Sequence, residues 1–145
     1  MSTLIKRTKR TATSWDQDFE PRVKDLREYL ERLTGKNKSE NKEIFMLCLA
    51  IGFDLKKMRP TPRRKSDAVR LSYFSEADFA IMNSIALSHS KDYLTLTEQD
   101  LVFDIVEQYA AGGLEILALA MDTEDNFVNY LSKLLFNKIK NNSEL

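Results

Sequence analysis

Ten residues in mid-sequence, Lys-Lys-Met-Arg-Pro-Thr-Pro-Arg-Arg-Lys at 56–65, place six cations together without an acid. Contact with a polyanion needs cationic side chains that reach phosphates before neighbouring carboxylates neutralise them. Pro60 and Pro62 exclude a helix here and hold the segment extended, so Lys56, Lys57, Arg59, Arg63, Arg64 and Lys65 form a candidate phosphate-contacting connector. Its arginines are also of the type drawn into a narrow minor groove. A second acid-free group, Lys6, Arg7, Lys9 and Arg10, lies near the start and would extend the reach of the first. The competing reading is a solvated loop and tail whose cations pair with acids elsewhere in the chain.

Other reactive side chains point to less. Asp100, Asp104 and Glu107 fall at i, i+4 and i+7, a spacing that can hold a hard cation, yet no histidine accompanies them. They read as the wet face of an amphipathic helix, and no metal site is expected. His89, the one histidine, sits near a helix end, where an imidazolium is favoured by the terminal partial charge. Cys48 lies in an apolar helix and reads as a small core residue. Four glycines, none in a phosphate-loop or dinucleotide spacing, give no nucleotide signature. Trp15, Phe19, Phe74, Phe79, Phe103, Phe127 and Phe136 read as core residues, not as a base-stacking platform. The expectation is a non-enzymatic protein without cofactors.

The 145 residues suit one domain, and 43% apolar content is enough for a core. A single cysteine excludes an internal disulfide and any multi-cysteine metal site. No apolar run approaches a membrane span and the start lacks a secretory apolar region, so a soluble cytoplasmic protein is expected. Net charge is zero, but residues 1–70 carry 18 Lys/Arg and 10 Asp/Glu while the rest carries the reverse imbalance. Such polarity gives either a cationic face or halves that neutralise each other, within one chain or between copies.

Apolar periodicity predicts a mainly α domain of five to six helices with a small β element over 14–145, preceded by a flexible basic arm at 1–13. Ser14-Trp-Asp-Gln17 has capping-box form and predicts a first helix to Thr34, stopped by Gly35. Ser39 is the expected cap of a buried second helix, Glu40–Ile51, ending at Gly52. Val69, Leu71 and Tyr73 alternate as in a strand, which needs a partner: Tyr93–Leu96, or the same strand of a second subunit. Ser75-Glu-Ala-Asp78 and Thr97-Glu-Gln-Asp100 open a third and a fourth helix. Gly112-Gly113 should break the fourth, leaving a short helix Leu114–Met121 before a last one patterned on Phe127, Tyr130, Leu131, Leu134, Leu135 and Lys138.

Three stretches in order carry a family likeness: Glu-Ile-Phe-Met-Leu-Cys-Leu-Ala-Ile-Gly-Phe-Asp-Leu-Lys-Lys-Met-Arg-Pro at 43–60, Val-Arg-Leu-Ser-Tyr-Phe-Ser-Glu-Ala-Asp at 69–78, and Glu-Gln-Tyr-Ala-Ala-Gly-Gly-Leu at 107–114. Together they resemble accessory protein 4 of DNA phosphorothioation (Dnd) systems, over about residues 24–136. Ala111 stands where the pattern would have asparagine. The resemblance implies a bacterial antiviral defence setting in which backbone sulfur marks DNA as self, with DNA and other defence-system proteins as partners. It carries no catalytic residue onto this chain. Two other functions fit the residues: a protein–protein adaptor or self-associating module without nucleic acid, motivated by the charge split, and a β-ribbon transcriptional regulator, motivated by the strand.

Overall fold

The computed structural model describes residues 9–35, 40–60, 62, 64–123 and 127–143, with only the backbone at 128, 135 and 138–143. Strand β1 (Ala12–Asp16) leads into helix α1 (Glu20–Thr34), then α2 (Asn41–Asp54), strand β2 (Lys65–Arg70), α3 (Glu76–Ser90), α4 (Gln99–Thr123) and α5 (Phe127–Ser143). The architecture is mainly α with a small β element. β1 and β2 form a two-stranded antiparallel sheet. Its register runs from Ala12 opposite Arg70 to Asp16 opposite Lys65, with a bulge at Ala68 between the Val69 and Asp67 pairings. Asn41, at the start of α2, donates a side-chain N–H to the Ala68 carbonyl at 3.3 Å.

α2 and α4 form the centre. Apolar on nearly every side, α2 buries Ile44, Phe45, Cys48, Leu49 and Ile51. Burial pushes the Cys48 thiol up to about 12, which makes it an inert core group. An edge-to-face series, Phe45–Phe74–Phe79–Phe103, joins α2, the segment before α3, α3 and α4, with ring centroids 5.8, 5.8 and 6.5 Å apart. Phe127 and Leu131 of α5 are buried against this core, whereas Phe136, expected inside, is 65% exposed.

Several boundaries differ from the expectation. The β element begins at Ala12, inside the expected basic arm, and Ser14 belongs to β1 instead of capping a helix. Asp16 accepts from the Asp18 N–H at 2.9 Å and turns the chain through Gln17–Phe19, after which α1 starts with Pro21 in its first turn. Gly35 ends α1 in the left-handed region (φ 73°) as expected, and Ser39 lies outside the described residues. Within the chain the partner of β2 is β1, not Tyr93–Leu96. Leu71–Tyr73 and Tyr93–Thr97 are 3₁₀ turns; in the second, Asp92 accepts from the Leu94 N–H and so favours a turn over a strand. Within the chain, therefore, the strand that motivated self-association and a β-ribbon is already paired.

The glycines depart furthest from expectation. α2 runs through Gly52 to Asp54, and α4 runs unbroken through Gly112 and Gly113 to Thr123, so Leu114–Met121 is no separate helix. These glycines let main chains touch. A Cβ at Gly52 would stand 2.8 Å from the Tyr109 carbonyl carbon, and one at Gly113 2.7 Å from that of Cys48. Gly112 makes the same allowance for the Lys57 carbonyl, where a Cβ would stand 2.6 Å from the carbon.

Candidate nucleic-acid interface

The connector between α2 and β2 is held by backbone hydrogen bonds at both ends. α2 closes with Lys57 N–H donating to the Gly52 carbonyl at 2.8 Å and Lys56 N–H to that of Phe53 at 3.2 Å. This is the Schellman arrangement, with Lys56 at the left-handed position usually given to glycine (φ 54°). Next the Arg59 N–H donates to the Gln108 carbonyl of α4 at 3.0 Å, and the Arg64 carbonyl accepts from the Gln17 N–H at 3.1 Å. The segment thus crosses α4 near Gln108–Gly112, and Arg64 ties its far end to Gln17 just before β2.

Its side chains divide in two. Arg59 turns inward: its guanidinium lies 4.5 Å from the centre of the Phe19 ring and within 3.7 Å of Asp16 and 3.8 Å of Glu115. Lys56, Lys57, Arg64 and Lys65 are exposed, and among the described residues none has a carboxylate within 4 Å. Arg63, Lys6 and Arg7 lie outside the described residues, and Lys9 is exposed.

Arg10 is a different matter. The sequence groups it with the phosphate-contacting cations, but its guanidinium bonds Glu107 through one nitrogen and Asp104 through another. Glu107, expected on a wet helix face, is only 6% exposed and also accepts the Ser14 N–H of β1. Burial pushes the Glu107 carboxyl above the ordinary glutamate range, and the bonds from Arg10 and Ser14 with the charge of Lys65 offset this only in part. Burial works against the Arg10 charge, but Glu107, Asp104 and Asp100 outweigh it and raise its pKa. The trio is a clasp holding β1 on α4. Its members lie 94 and 97 residues apart, beyond the reach of any local pattern.

His89, in the last turn of α3, places Nδ1 2.8 Å from the Tyr109 hydroxyl of α4. Among the described residues, no group of three His, Cys, Asp or Glu is placed to hold a metal ion, and no helix is long and apolar enough to cross a membrane.

Fold and site define a small, mainly helical domain, closed by an N-terminal strand, that presents a backbone-pinned cationic connector. The family of DNA sulphur modification system-associated protein 4 matches over residues 20–145, and the chain belongs to it. The association with a DNA sulphur modification system follows from that membership. The match starts after β1, so Arg10 and Ser14, which engage Glu107, precede it. No curated protein and no solved structure matches the chain.

Proposed function

We propose that this protein is a non-enzymatic accessory component of a bacterial phosphorothioation-type DNA modification and restriction system with an antiviral role, and that it contacts DNA through the connector. One observation carries the reading: Lys56, Lys57, Arg64 and Lys65 are exposed with no carboxylate within 4 Å among the described residues, and the backbone is hydrogen-bonded at Lys57, Arg59 and Arg64. A preorganised row of hydrated cations meets phosphates with little ordering cost and no base selectivity. Arg63 and the segment with Lys6, Arg7 and Lys9 add charge to the same interaction. Arg10 does not, because it is engaged by the clasp.

Lys56, Lys57, Arg64 and Lys65 alone contribute about −3.6 to the slope of log K against log salt, so raising salt from about 50 to about 200 mM weakens binding by roughly 150-fold or more. Arg64→Ala/Lys65→Ala should make the slope shallower by about 1.8 and cut that loss roughly 12-fold. Fluorescence anisotropy with duplexes of unrelated sequence measures both. Absence of binding at the lower salt, or an unchanged slope in the double variant, refutes the connector as the DNA contact.

A further inference from the structure

α2 and α3 lie side by side on α4 and run the same way. Near their starts Lys42 bonds Asp78 at 3.1 Å. Near their ends the Phe53 and His89 rings both meet Tyr109 of α4 edge-on, at 5.4 and 5.5 Å. Between the helices runs an open cleft of about 900 Å³, walled by Met46, Ala50 and Phe53 on one side and by Ile81 and Ile85 on the other. From Met46 to Phe53 the wall extends for two helical turns, about 10 Å. Ile81 is 49% exposed in mid-helix.

The charges at the two ends differ. At the start of the cleft, Asp78 is neutralised by Lys42. At its far end stand Lys56 and Lys91, both exposed and, among the described residues, without a carboxylate within 4 Å. Asp54, the other acid on the rim, has an interaction partner of its own. Both lysines occupy left-handed backbone positions at helix ends, φ 54° and 58°, where glycine or asparagine is the easier residue. Two helix C-termini, each with partial negative charge, converge at the same place.

We propose that this cleft docks an amphipathic helix of a partner protein, antiparallel to α2 and α3, with its apolar face on Ile81, Ile85, Met46 and Phe53 and acidic first-turn side chains between Lys56 and Lys91. The antiparallel sense sets the helix N-terminus, with its partial positive charge, against the two C-termini. It also brings the acids that helices favour in their first turn to the two unpartnered cations. Apolar anchors at i, i+4 and i+7 span the length of the wall. Phosphate backbone suits such an apolar floor poorly; Lys56 is common to this cleft and to the connector, whereas Ile81 and Lys91 belong to the cleft alone.

The probes are two fluorescein-labelled 16-residue alanine-rich peptides, with leucines at i, i+4 and i+7. One has Glu-Glu in its first turn, the other Lys-Lys. With the full chain, the acidic-start peptide should bind at least tenfold more tightly. Ile81→Glu, at a half-exposed position that leaves the helical circular dichroism intact, should weaken it at least tenfold. Lys91→Glu, outside the connector, should reverse the preference between peptides. No binding of the acidic-start peptide up to 1 mM, equal binding of both, or indifference to Ile81→Glu overturns the proposal. So does a homodimer in sedimentation that Ile81→Glu disperses, since the occupant is then a second copy.

Discussion

Gly113→Ala tests the seam on which the domain is built. In a solvated helix this change stabilises by about 1 kcal/mol, because alanine restricts the unfolded chain and favours the helix. Here the new Cβ would stand 2.7 Å from the Cys48 carbonyl carbon and 2.9 Å from the Gly52 nitrogen, both main-chain atoms of α2. Ordinary contact begins near 3.4 Å and the Cys48 carbonyl oxygen lies closer still than its carbon, so α2 would have to retreat by more than roughly 0.7 Å along a face that buries Ile44, Phe45, Cys48 and Leu49. Overpacking of this kind costs about 3 kcal/mol at the upper end of its usual range, since a helix backbone cannot swing aside as a side chain does. The net expectation is a loss of about 2 kcal/mol, or about 4–8 °C in Tm for a domain of this size. Thermal and urea unfolding followed by circular dichroism measure it, and an unchanged urea m-value would keep the effect in the native state. Gly35→Ala is the control: nothing lies within 4 Å of its Cβ position, and only the left-handed φ of 73° opposes it, at about 1 kcal/mol. Should Gly113→Ala melt at or above the parent temperature, α2 and α4 do not touch through their backbones and the close packing described above is wrong.

Two further expectations concern buried and capping carboxylates. Glu107→Ala removes the acceptor of the Ser14 N–H and the main partner of Arg10, at a cost of about 2–3 kcal/mol. Hydrogen exchange should then accelerate along the β1–β2 ladder before it does in α2, and equal protection in both proteins would refute the clasp. Asp78 closes a reciprocal capping box with Ser75 and bonds Lys42. Burial acts to raise its pKa, but the Ser75 bonds and Lys42 outweigh this and hold it below the ordinary aspartate value of 3.8. A depressed carboxylate stabilises the fold above its unfolded pKa, and that contribution is lost as pH falls through the folded value. Asp78→Ala should therefore cost about 1 kcal/mol at pH 7, with the gap from the parent closing only below about pH 4; a gap independent of pH in urea titrations would refute it.

What could be read from the sequence was what neighbours in the chain decide. Ser75 and Asp78 form their capping box across three residues, and Gly35 stops α1 within one turn, so both were visible. Gly112-Gly113 and Gly52 were misread because a glycine that breaks a helix and one that admits another backbone look alike until the partner is known. Ser14-Trp-Asp-Gln17 satisfies a local capping pattern, yet pairing with residues some fifty positions later overrides it. Thr13 and Trp15, both strand-favouring and both buried, were the available signal. The connector was legible from composition and its prolines. Which of its cations would be neutralised was not, because Asp16 and Glu115 reach Arg59 only through the fold.

That neutralisation follows a chemical rule as well as geometry. The basic and acidic halves do fold against each other, but the cross-chain pairs draw mostly on arginine: Arg10 with Asp104 and Glu107, Arg22 with Asp122, Arg59 with Asp16 and Glu115. A guanidinium is weakly hydrated, offers a planar fork and stacks on rings, so it leaves water at lower cost than an ammonium. Arg59 shows the last of these, with its guanidinium 4.5 Å from the centre of the Phe19 ring. Lysine resists the same move, and Lys56, Lys57 and Lys65 remain in solvent. These pairs occupy acids that would otherwise compete for the connector: Glu115 and Asp16 face Arg59, and Glu107 faces Arg10. A chain of zero net charge can in this way keep a locally cationic surface, because the carboxylates beside the connector, Asp16, Glu107 and Glu115, are engaged by arginines.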